Sequence, residues 1–164
     1  QLLAGERRAG HPPTPPDPRL RAVLALSPSA RQPDAPPGLN QRFAHLRQPF
    51  MGITGSRDDG MGLSDISAAN RELPYRHAPA GLAGPDKYLL VFGGGNHLDF
   101  AGQASQAEAG MFAVRREPAV FHASLLAAGT AFWQAHLGLD AEAHRWLITD
   151  FPGRLRPTDR FEFK

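Results

Sequence analysis

His97 is the residue on which a chemical role is most readily built. Of the seven histidines it alone stands just past a stretch that reads as a buried strand, Tyr88-Leu89-Leu90-Val91-Phe92, with Gly93, Gly94, Gly95 and Asn96 between. Asp58 holds a comparable place after an earlier apolar stretch, residues 49–54, three residues beyond Gly55. A hydroxyl is a poor nucleophile until an imidazole takes its proton, and the imidazole needs a carboxylate to fix its tautomer and stabilise its charge. Two loops at the ends of neighbouring parallel strands supply that pairing, and glycines before His97 are expected to let the backbone turn sharply and swing the ring over the strand ends. An aspartate in a Gly/Ser/Asp turn is by itself ordinary turn chemistry, and Asp59 competes with Asp58 for the role. Strand-GxxD followed by strand-GGGxH is more specific than either half. His11, His45, His77, His122, His136 and His144 fall in connectors or on helices and are expected to be solvated.

Other chemistries fit less well. The run Gly93-Gly94-Gly95 after a strand invites comparison with a phosphate cradle, yet it matches neither GxGxxG nor the P-loop spacing. His97 and Asp99 resemble the start of a metal site, but no third ligand follows at a recognised spacing, so no metal and no organic cofactor are expected. The absence of cysteine removes disulfides, thiolate ligands and a cysteine nucleophile together. Eighteen basic residues against sixteen acidic ones leave a formal charge of +2, and the isoelectric point near 9.5 belongs to an arginine-heavy, nearly balanced chain. Arg7-Arg8 and Arg115-Arg116 carry no interleaved aromatics to stack on bases, so nucleic acid is not the expected partner. No window approaches the roughly 18 apolar residues of a membrane span.

The elements that would position Asp58 and His97 follow from hydropathy and turn residues. Residues 21–28 run apolar without alternation, as in a parallel strand buried on both faces. Proline-rich connectors, residues 10–20 and 32–38, flank it. A short helix is expected over residues 39–47 with Phe43 and Leu46 on one side, then a second strand over 49–54. A helix capped by Ser64 and stopping near Pro74 comes next, then the third strand over 88–92. Glu117-Pro118 opens the longest helix, to about Leu137, with Phe121, Leu125, Ala128 and Phe132 as its apolar stripe and Leu126, Trp133 and Leu137 widening it. Phe132 and Trp133 are expected to be core packing. Asp140 is expected to cap a helix holding Trp146 and Leu147, and residues 154–164 to form an irregular tail. The sum is an α/β fold: a doubly wound, mostly parallel sheet of three strands with flanking helices, residues 1–153 making part of a single domain.

With these residues in hand, the chain resembles the α/β-hydrolase superfamily, and more narrowly the dienelactone-hydrolase-like and platelet-activating-factor-acetylhydrolase-like bacterial esterases. The stretches RAVLALSPS (21–29), FMGITGSRDD (50–59) and YLLVFGGGNHLDF (88–100) carry the likeness, and FHASLLAAGTAFWQAHL (121–137) adds to it. The resemblance implies that these are the sixth, seventh and eighth strands and the terminal helix, with Asp58 as triad acid and His97 as base. It implies a serine hydrolase acting on a small-molecule carboxylic ester.

One departure matters. The nucleophile elbow G-x-S-x-G of such enzymes is absent; Gly62-Leu63-Ser64-Asp65-Ile66 lacks the last glycine and follows the acid. The opening Gln1-Leu2-Leu3-Ala4-Gly5 resembles the helix that follows the elbow. The expectation is therefore that the serine and the N-terminal half of the domain lie upstream, and that the first strand exposes an apolar edge without them. Two rivals remain: a non-catalytic relative used for binding, and a doubly wound nucleotide- or phosphate-binding domain. Composition leaves the compartment open, cytoplasmic or exported.

Overall fold

The computed structural model describes residues 2–8, 10, 12, 15–59, 66–100 and 118–164. In chain order the strands are β1 (Val23–Leu26), β2 (Phe50–Arg57), β3 (Lys87–Asn96) and β4 (Arg160–Phe163). The helices are α1 (Leu39–Phe43), α2 (Ala68–His77), α3 (Pro118–His136) and α4 (Ala141–Thr149). The strands form one sheet in the order β1-β2-β3-β4. β1, β2 and β3 are parallel, Val23 lying opposite Phe50 and Met51 opposite Tyr88, while β4 runs antiparallel to β3.

The continuous apolar runs of β2 and β3 have a direct cause, since both strands are covered on both faces. Met51, Ile53, Tyr88, Leu90 and Phe92 meet Phe121, Ala128 and Phe132 of α3, Leu147 of α4 and Phe151 on one side. Phe50, Leu89 and Val91 meet Phe43, Leu46 and Tyr75 on the other. Each large side chain buried this way contributes about 1.5–3 kcal/mol. The mixed α/β class and the mostly parallel sheet agree with expectation, but the sheet has four strands. Residues 160–163, expected to be irregular, form β4. Arg/Pro composition masked the alternation Arg160-Phe161-Glu162-Phe163, in which Phe161 stacks on Tyr88 (6.1 Å) and meets Phe151 edge-on (5.1 Å). β1 is not buried on both faces: it pairs only with β2 among the described residues, and Leu26 is exposed.

Three helix expectations also change. Ser64 lies outside the described residues, and α2 is capped by Ser67, whose hydroxyl accepts the Asn70 amide at 3.2 Å. α2 does not stop at Pro74 but runs through it to His77. Proline has no amide to give the Asn70 carbonyl, and that carbonyl instead accepts Ala30 N–H at 3.1 Å. On α3 the stripe is narrower than expected. Phe121, Ala128 and Phe132 are buried and Leu125 is partly so, whereas Leu126, Trp133 and Leu137 are exposed. Asp140 caps α4 as expected, accepting the Glu142 and Ala143 amides, with Leu147 buried.

His136 is not solvated. Its ring lies against Tyr88, Phe132 and His144, and its Nε2 is 3.0 Å from the Tyr88 hydroxyl. That hydroxyl donates to Pro85 O (2.8 Å), so the histidine Nε2–H donates to it. Burial, reinforced by neighbouring His144, pushes the His136 pKa from its ordinary 6.5 down to about 4. Between those values the unfolded chain binds a proton that the folded chain does not, so acidification through this window lowers stability. His136→Phe is expected to flatten the fall in melting temperature between about pH 6.5 and pH 4, by on the order of 1 kcal/mol given the partial exposure. Parallel melting-temperature profiles for the two proteins would show that His136 is not the group responsible.

Candidate active site

β2 and β3 end at the same edge of the sheet, and their register brings the two loops together. Gly55 lies opposite Phe92, but Arg57 lies opposite Asn96, so β3 carries extra residues there as a bulge. The glycine run is therefore not a sharp turn beyond the strand: β3 continues through it, and the irregularity includes Gly94 at φ +78°. Gly55 answers to the same close approach, because a Cβ there would sit 2.1 Å from Gly95 O. The Asp58 amide then turns back to Gly55 O (3.1 Å), and His97 opens a short 3-10 helix to Phe100.

The two residues singled out from sequence are brought into contact. Asp58 is fully buried, and its Oδ1 lies 3.0 Å from His97 Nδ1. Its Oδ2 accepts the hydroxyls of Ser27 (2.6 Å) and Thr54 (2.8 Å). A carboxylate can only accept, so His97 Nδ1 carries the proton and Nε2 presents a lone pair. The His97 side chain is 42% exposed, and no described residue hydrogen-bonds its Nε2. The arrangement can take a proton at Nε2 from a group brought to the rim, while Asp58 holds the ring and balances its charge. Asp59, the competitor, is turned to the start of α2, where it accepts the Ala68 amide at 3.1 Å.

Three partners of the pair were missed. Ser27 follows β1 with φ 49°, a left-handed backbone that non-glycine residues rarely adopt; in the sequence it was counted only as part of the apolar run 21–28. Thr54 was counted only as a strand residue. Arg71 of α2, 5% exposed, reaches Asp58 Oδ1 at 3.2 Å. No local pattern distinguishes Arg71 from Arg76, the other arginine of its helix.

The remaining sequence signals sit nearby in other roles. The Gly93 amide donates to the Asp159 carboxylate (2.9 Å to Oδ1) and the Gly94 amide to Ser56 Oγ (2.8 Å), so both are taken by side chains of the protein and neither is left for a bound phosphate. Asp99 accepts the Asn96 amide at 2.7 Å and, through its backbone oxygen, His122 Nε2 at 3.2 Å. Among the described residues no three His, Asp or Glu side chains gather as a metal site would require. No described helix is long and apolar enough to cross a membrane. No family model, curated protein or solved structure matches the chain.

Proposed function

We propose that this chain supplies the acid and base of a serine hydrolase that cleaves small-molecule carboxylic esters, as part of an α/β-hydrolase domain. The nucleophilic serine and the donors that stabilise the oxyanion come from residues outside these 164. What carries the proposal is one observation: a fully buried Asp58 carboxylate 3.0 Å from Nδ1 of a histidine whose Nε2 has no partner among the described residues. His97 Nε2 accepts the serine proton as the serine oxygen bonds to the ester carbonyl carbon. It returns that proton to the alkoxide oxygen as the C–O bond of the ester breaks, leaving an acyl-enzyme. Water then repeats the cycle, its proton passing through Nε2 to the serine oxygen as the acid departs. Neither step calls for a metal or an organic cofactor. The edge of β1, which pairs only with β2 among the described residues, is where the N-terminal half of the domain would continue the sheet.

A fluorophosphonate tests the assignment in the full-length protein. Labelling of a single serine upstream of Gln1, with matching loss of p-nitrophenyl acetate turnover, is the expected result. Ester turnover that persists after stoichiometric labelling, or a protein that neither labels nor turns over esters, would end it and favour a non-catalytic relative.

A further inference from the structure

Arg71 touches both members of the Asp58–His97 pair. From α2 its guanidinium donates Nη1–H to Ser27 O (2.9 Å) after β1 and Nε–H to Asp58 O (3.1 Å) after β2. Its Nη2 lies 3.2 Å from Asp58 Oδ1 and 3.4 Å from His97 Nδ1. With Nδ1 protonated, the last of these is a meeting of two donors that share one acceptor, Oδ1. Because among the described residues Oδ1 meets only those two donors, a carboxyl proton placed on it would find no acceptor there.

We infer that Arg71 is a positioning residue of the pair, whose fixed charge keeps Asp58 ionised and opposes protonation of His97. The inference rests on the hydrolase proposal above. Its physical basis is charge balance in a buried place. A carboxylate removed from water needs a counter-charge. If His97 were the only cation available, the buried carboxylate would draw a proton onto the imidazole and remove the free base. Arg71 supplies the positive charge permanently, so the buried Asp58 carboxylate is balanced without a charge on His97. Among the described residues, the other charged groups of these loops and helices do not serve this purpose. Arg57 at the end of β2 is exposed, Asp59 faces the start of α2, Asp99 holds the Asn96 amide, and His122 of α3 reaches the Asp99 backbone oxygen.

The test compares kcat/KM for p-nitrophenyl acetate in the full-length protein at two pH values, each rate divided by the sites that a fluorophosphonate titrates. For Arg71→Gln, the deficit relative to wild type at about pH 5.5 is expected to exceed that at about pH 8.5 roughly tenfold, the equivalent of one pH unit. Arg71→Lys keeps the charge but cannot bridge all three contacts, and is expected to show a similar deficit at both pH values. Equal deficits for Arg71→Gln at the two pH values, or an extra acidic loss in Arg71→Lys, would overturn the inference. Wild-type rates for Arg71→Gln beside an inactive His97→Ala would remove the role of Arg71 alone. A fully active His97→Ala would instead remove the hydrolase proposal on which it stands.

Discussion

His97→Ala is expected to lower kcat for ester cleavage by about four orders of magnitude in the full-length protein. The reason is the concentration of function in one atom. No described residue hydrogen-bonds Nε2, and in the proposed chemistry its loss leaves water to take the serine proton without help. Because the His97 side chain is 42% exposed, its removal leaves only a small void, and the melting temperature is expected to hold. Asp58→Asn makes the useful contrast. An amide can turn its oxygen toward His97 and Arg71 and keep the ring in place, but it brings no charge to balance the imidazolium. It also leaves Arg71 buried without a counter-ion. Activity is expected to fall by about three orders of magnitude and stability by about 3 kcal/mol, the cost of breaking a buried pair from one side. Steady-state kinetics with thermal melts separates the two variants. Full activity in His97→Ala would be incompatible with the proposed chemistry.

Gly55→Ala is expected to be the most damaging single methyl added to the sheet. A Cβ at that position would lie 2.1 Å from Gly95 O, 2.4 Å from its carbonyl carbon and 2.7 Å from its Cα. All three atoms are backbone of the neighbouring strand, so no side chain can rotate away and β2 must part from β3 where the bulge forms. A loss of about 3 kcal/mol or more is expected from urea unfolding, with ester turnover reduced further because the Asp58 and His97 loops separate. Gly153, around which an added Cβ would meet nothing within 4 Å, is the control. Equal urea midpoints for the two alanine variants would show that the strands yield more readily than the contact implies.

Much of the arrangement that brings Asp58 to His97 is legible in the sequence, because it follows from local regularities. Apolar runs without alternation mark β2 and β3 as central strands, and the spacing after each places a titratable group at the sheet rim. What escapes depends on partners distant along the chain. Arg71 acts through the reach of its side chain, not through its position in a pattern. Pro74 stays inside α2 because Ala30 satisfies the carbonyl that proline leaves free. β4 is obscured by the arginines and prolines just before it, and becomes a strand because Phe161 fits between Tyr88 and Phe151. Trp133 shares a helix with buried Phe132, yet the sheet covers only one side of that helix.

The two margins of the sheet differ in chemistry. β4 interleaves Arg160 and Glu162 with its phenylalanines, and these charges are tied to Glu72 and Arg76 of α2. A stray strand approaching there would have to disturb ion pairs, which discourages further addition. At the opposite margin, Val23-Leu24-Ala25-Leu26 carries no charge and, among the described residues, pairs with no strand on its outer side. Growth of this sheet is therefore one-directional: whatever extends it, in its own domain or in a misassembled neighbour, joins beside β1.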